Sequence, residues 1–248
     1  MNNLHSQFLR GVNRWFFLAV IATIALTCTS FLQSVLYTVQ QGELFQQGYH
    51  DELFSTILSA DMLSTFLPVI AAVPLSAGYL DDVKSKCTRF FVIRVGYTRY
   101  LVSIFLACYF LGGAVILIGT LSAYGMTTLV FLPLERLVEN PPDLGVQIGK
   151  QFTLLFLNGG LWAVIGMTMS TIMESKYIAY ASPFIVYYLL VILYERYFPD
   201  AWLLYPKNWL DPEIWPYGVG SAALFLLELT FLCGLVFYVR GKRRLEAL

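Results

Sequence analysis

The chain has 248 residues, of which 58% are hydrophobic and 13% charged, and its formal net charge is zero. Soluble domains carry about 25% charged residues, so this composition excludes an ordinary soluble enzyme and points to a membrane protein. Zero net charge also excludes a chain drawn as a whole to nucleic acid.

Taken from the N-terminus, Arg10 and Arg14 precede an apolar run that is too long for the core of a cleaved signal and lacks a small-x-small site, so it reads as a retained first helix. Apolar stretches lie at 15–36, 62–80, 101–126, 151–173, 177–194 and 217–239. At 1.5 Å per helical residue each suits a hydrocarbon core of about 30 Å, with tilt absorbing any excess. The expected fold is an all-α polytopic membrane protein, a single domain over 1–248 with six transmembrane helices. Numbering the connections alternately puts Arg10, Arg14, Lys84, Lys86, Arg89, Arg94, Arg99, Lys176, Arg240, Lys242, Arg243 and Arg244 on one side, against Arg136, Lys150, Arg196 and Lys207 on the other. The positive-inside rule then predicts both termini in the cytoplasm, and the basic inner rims suit contact with anionic lipid.

The connections are unequal. The first outer one, 37–61, has no Lys or Arg, and its glutamine-rich start reads as loop or a short surface helix; the second, 127–150, contains the Asn140-Pro141-Pro142-Asp143 turn signal. The third, 195–216, holds Trp202, Trp209 and Trp215 among four prolines. These tryptophans suit anchors at a membrane interface, and the prolines predict one or two short segments in place of a continuous helix. Helices four and five are joined by only Glu174-Ser175-Lys176. Between helices two and three, Val83, Cys87, Phe90 and Phe91 share one arc when plotted at roughly 100° per residue, with Lys84, Lys86 and Arg89 on the remainder. That predicts a short amphipathic helix on the inner membrane face, begun by Asp81 and Asp82 and broken by Gly96.

Motifs of chemistry are missing from the spans. The two histidines, His5 and His50, lie outside them, which excludes a zinc intramembrane protease and a Ser-His pair within the bilayer. The segment from Gly145 to Gln151 has the wrong spacing for a phosphate-binding loop, and Cys28, Cys87, Cys108 and Cys233 show no metal-ligand spacing. No catalytic, cofactor or metal site is expected. Two polar features remain. Glu228 sits near the centre of the last span, where an acid is either functional or a hydrogen-bonded link between helices; both require it to face other helices. Tyr177, Tyr180, Phe184, Tyr187 and Tyr188 form one face of the fifth span, suited to a path for an amphipathic substrate or to helix packing.

The order of elements, with Arg94-Val-Gly-Tyr97-Thr-Arg99-Tyr100-Leu101 closing the inner segment, Gly112-Gly113 in the third helix and an interface-seeking loop before the sixth, resembles the membrane subunit of an ABC-2 type ABC transporter, in particular the small six-helix permeases of Gram-positive bacteria. The likeness spans nearly the whole chain and rests on layout. It implies a multi-pass protein of the bacterial plasma membrane, working with two cytoplasmic ATPase subunits that supply ATP hydrolysis and with a second permease, identical or different. The inner segment would be the coupling helix: Asp81, Asp82, Lys84, Lys86 and Arg89 would give polar docking contacts with Phe90 on the apolar side, and Arg94 and Arg99 would grip the membrane edge. Tyr180, Phe184, Tyr187 and Glu228 would border a path for a lipid, peptide or drug-like substrate. A secondary transporter or channel, and a non-transporting scaffold or immunity protein, are the competing expectations.

Overall fold

A computed structural model describes residues 3–41, 49–58, 61–85, 88–135 and 145–246. Among these the regular structure is helical: α1 (Asn3–Gly11), α2 (Arg14–Gln41), α3 (Tyr49–Leu58), α4 (Asp61–Ala72), α5 (Gly78–Lys84), α6 (Thr88–Val95), α7 (Tyr97–Phe131), α8 (Gly145–Met173), α9 (Lys176–Ile192) and α10 (Val219–Glu246). A chain in lipid must satisfy its backbone internally, and helices do so within each segment. Serine and threonine hydroxyls follow the same rule by bonding back along their own helices, as Thr23 does to the Ala19 carbonyl at 3.0 Å and Thr230 to that of Leu226 at 2.7 Å.

Five helices are long and apolar enough to cross a membrane: α2, α7, α8, α9 continued through Tyr197, and α10. The expected second span, 62–80, is not one helix. Its apolar residues divide between α4, which at 12 residues reaches only about 18 Å, and α5, with a turn at 73–77 between them. Pro74 explains the break, because it supplies no amide donor and its ring disfavours helical geometry at Val73. The turn is buried in protein, with Leu75, Ser76 and Ala77 at 5% exposure or less. There Ser76 Oγ donates to the Ala163 carbonyl at 2.9 Å and Ser170 Oγ to the Ser76 carbonyl at 3.4 Å. The sixth crossing exists only if α3 and α4, which bend by 69° at their junction, count as one broken span. In α3 Leu53, Phe54, Ile57 and Leu58 are buried, while most of the glutamine-rich stretch before it, 42–48, lies outside the described residues.

Helices α7 and α8 form the centre. Their backbones touch at glycines: a Cβ on Gly112 would lie 2.4 Å from Ala163 Cβ and 2.9 Å from the Gly159 carbonyl, and one on Gly113 would lie 2.6 Å from the Phe156 carbonyl. In lipid, where apolar burial drives helices together weakly, close approach at small residues supplies the van der Waals contact. The core continues through Leu63, Tyr79, Tyr100, Ile104, Ile116, Trp162 and Phe237. By contrast α9 and α10 bury only 22% of their apolar windows inside the chain, against 67% for α8.

Candidate functional site

One end of the bundle gathers the basic residues. There Asp82, 3% exposed, accepts from the Arg10 guanidinium and from the Tyr100 hydroxyl at 2.6 Å, joining α5 to α1 and α7. Asp81 pairs with Lys176 at the start of α9. Tyr79 donates to the Gly241 carbonyl of α10 at 3.2 Å, and Arg244 pairs with Glu174 at 3.2 Å. The start of α2 and the end of α10 therefore lie at the same end of the molecule. Around the buried Asp82, low dielectric makes such charge-assisted bonds strong while they are complete and costly when a partner is lost.

The segment expected to form one amphipathic helix from Asp81 to Phe91 is two helices, α5 and α6. Asp81 and Asp82 fall within α5 and not at the start of a docking helix. Asp82 is buried, which removes it from the surface where the sequence placed it, because a carboxylate at the membrane edge finds two donors inside the bundle. Lys84, Arg94 and Arg99 are exposed. Lys86 lies outside the described residues, as do the side chains of Arg89 and Phe90. Ile93 on α6 is 85% exposed beside Arg94. Gly96 separates α6 from α7 with φ +84°, and a Cβ there would touch nothing within 4 Å; the backbone angle alone calls for glycine.

The aromatic face of α9 is split. Tyr187 is buried against Trp162 with ring centroids 6.1 Å apart. Tyr177, Tyr180 and Tyr188 are exposed, with Phe184 half-buried against Tyr188 at 4.7 Å. One end of the stripe is thus packing, and the rest lies on the outer surface of the chain. Pro183 withdraws the amide that would bond the Ala179 carbonyl. That carbonyl instead lies against Gly166 of α8, where a Cβ would be 2.4 Å from it. Glu228 is exposed on α10 among the exposed Leu224, Leu227, Phe231 and Leu232. This chain therefore leaves that side of α10 open.

At the opposite end Trp209 and Trp215 are buried, and Trp202 is half-buried. Trp209 stacks on Trp162 at 5.8 Å and donates to the Leu203 carbonyl at 2.8 Å; Trp215 donates to the Asn208 carbonyl at 2.8 Å. These two rings cap the bundle with their N–H groups satisfied within their own loop, in place of the lipid anchoring expected of them. Short 3₁₀ turns at Trp202–Leu204 and Pro206–Trp209 set this loop. Also at this end, both ring nitrogens of His50 face carboxylates, Glu135 at 2.6 Å and Asp51 at 3.3 Å, and Tyr124 donates to Asp51 at 2.7 Å.

A cleft of about 240 Å³ opens at the same end, between α3, α4, α8 and the loop before α10. Ser55, Gln147, Gln151, Lys207, Asp211 and Glu213 make its polar wall. Sequence patterns missed this cleft, because its residues are spread over four segments, and also missed Arg10, Tyr100 and Lys176 as partners of the acidic pair. The Asp81-Asp82 doublet at a membrane edge was the available signal, since buried charges need counter-charges. Among the described residues no group of three His, Cys, Asp or Glu could hold a metal ion. No family model matches the sequence, and no curated protein matches it.

Proposed function

We propose that this chain is the membrane permease subunit of an ABC-2 type exporter, energised by a separate cytoplasmic ATPase and moving an amphipathic or hydrophobic substrate. The basic end supports this reading. There α6 presents Ile93 and Arg94 outward and the start of α7 presents Arg99, while α5 just before α6 is pinned by Asp81 and Asp82 to α9, α1 and α7. An exposed apolar side chain next to a cation is suited to a protein partner, and the ion pairs of α5 would pass a push on α6 into three helices. The basic end is then cytoplasmic, in keeping with the positive-inside rule. The thin internal burial of α9 and α10 leaves both for lipid or for a second permease subunit.

The test is ATP hydrolysis by the ATPase that co-purifies with the chain. Ile93→Asp with Arg94→Glu should cut substrate-stimulated hydrolysis at least tenfold, while the subunit still inserts and folds. Full stimulation in that variant would refute the coupling role. A secondary transporter draws support from one observation, the 69° bend between α3 and α4, since such transporters use broken helices. They use them in matched pairs, and among the described residues only one such bend is present.

A further inference from the structure

We propose that a second copy of this chain covers the open side of α10, with the Tyr188 hydroxyl of each copy donating a hydrogen bond to the Glu228 carboxyl of the other. The inference deepens the permease reading, which calls for a second membrane subunit, and rests on it for that need.

Glu228 sets the requirement. It is exposed on α10 and stands twelve residues before Arg240, about 18 Å from the basic rim at 1.5 Å per residue. Lipid offers no hydrogen-bond donor at that depth, so an ionisable group there faces protein or a water-filled cavity. Glu228 has no hydrogen bond or ion pair among the described residues. A second copy cannot bring a cation to it, because the apolar segments 15–36, 62–72, 101–131, 151–173, 177–192 and 219–239 contain no Lys, Arg or His. The donor must be neutral. The exposed Thr29 hydroxyl of α2 is turned back to the Leu26 carbonyl at 2.9 Å. Tyr188 differs. It is 43% exposed on α9, its ring is steadied by Phe184 at 4.7 Å and by Tyr187 at 5.9 Å, and its hydroxyl has no hydrogen bond among the described residues. It lies twelve residues beyond Lys176, whose pairing with Asp81 fixes that end of α9 at the basic rim. Tyr188 is therefore also about 18 Å from the rim. An acceptor on α10 and a donor on α9 stand at one depth.

Both helices pack on α8, and each buries only 22% of its apolar window within the chain. A two-fold axis along the membrane normal leaves depth unchanged. It can set α9 of each copy beside α10 of the other, so that both bonds form together in one isologous contact. Around them the exposed Ile185 and Leu189 of α9 would meet the exposed Leu224, Leu227 and Phe231 of α10. A pairing of α10 with α10 would instead set two carboxyls against each other and leave both Tyr188 hydroxyls unused.

The experiment uses the full chain without its native cysteines, co-expressed in two differently tagged forms. One carries Ile185→Cys and the other Phe231→Cys; these positions lie three residues from Tyr188 and from Glu228 towards the basic end, hence at a common depth. A bifunctional thiol reagent added to membranes should join the two tags. The yield should fall about tenfold or more in Glu228→Leu and in Tyr188→Phe, as loss of both interhelical bonds requires, and should persist in Glu228→Gln, which keeps an acceptor. Absence of the mixed product, an unchanged yield in Glu228→Leu and Tyr188→Phe, or stronger joining of Phe231→Cys to itself overturns the proposal. No ATPase takes part, so failure here leaves the coupling reading standing. Full stimulation in the variant with Ile93→Asp and Arg94→Glu would in turn refute coupling without touching the dimer.

Discussion

Asp82 is central to the basic end, because its one carboxylate joins three helices, α5, α1 and α7. Arg10→Ala leaves that carboxylate buried with only the Tyr100 hydroxyl. Breaking a buried pair costs about 3–5 kcal/mol, and the lower end applies because the Arg10 side chain is 37% exposed. Arg10→Ala should therefore lower the unfolding temperature markedly, and adding Asp82→Asn should recover part of the loss, since no charge is then stranded. A double variant no more stable than Arg10→Ala alone would show that the knot is not held by charge. Glu228 poses the opposite problem. Its carboxyl lies outward near mid-span, where a charged group costs about 2.5–3.5 kcal/mol. Glu228→Leu should make the chain expressed alone more stable and weaken its association with a partner membrane subunit; Glu228→Gln should keep that association. If the Leu variant is more stable and co-purifies with its partner as before, α10 faces lipid in the assembled protein.

At the level of elements, the contact between α8 and α9 shows how two residues far apart in sequence fix a packing distance. Pro183 frees the Ala179 carbonyl, and Gly166 makes room for it at 2.4 Å from where a Cβ would sit. Because the atom in the way is backbone, no rotamer change can relieve a side chain placed there. Gly166→Val should then cost more than the about 1–3 kcal/mol of ordinary overpacking, seen as loss of folded protein on size-exclusion chromatography, whereas Gly149→Ala, with open space around it, should be well tolerated. Equal recovery of both variants would contradict the close approach. The break between α4 and α5 obeys the same logic. Pro74 ends one helix, and the turn is tolerated in the interior because its own backbone bonds, such as Ser76 N–H to the Ala72 carbonyl at 3.3 Å, and the Ser76 and Ser170 hydroxyls satisfy its polar atoms.

For the molecule as a whole, the number of crossings decides where the ends lie. The contacts of Arg10, Tyr79, Tyr100 and Glu174 place the start of α2 and the end of α10 together. An even number of crossings is expected from this, which requires α3 and α4 to act together as one broken span. In sealed cells, with the native cysteines removed, a thiol introduced by Asp200→Cys should react with an impermeant reagent added from outside. Thiols from Lys84→Cys and Arg243→Cys should react only after permeabilisation. Labelling of Lys84→Cys and Arg243→Cys on opposite sides would rule out the even count.

Much of this was legible without coordinates, because bilayer physics acts on each segment separately. Length, apolar content and prolines are local quantities; from them come the helical class, the long spans now α2, α7, α8, α9 and α10, the tight turn at Glu174-Ser175-Lys176 and the break at Gly96. Partnership is not local. Whether Asp82 points to solvent or to Arg10, 72 residues away, whether Trp209 meets lipid or Trp162, and which way Glu228 turns on α10 depend on how the helices rotate against one another. That rotation is set by the steric fit of small residues such as Gly112, Gly159 and Gly166 against their neighbours. The wall of the polar cleft exists only once α3, α4, α8 and the loop before α10 have been brought to one end by that packing.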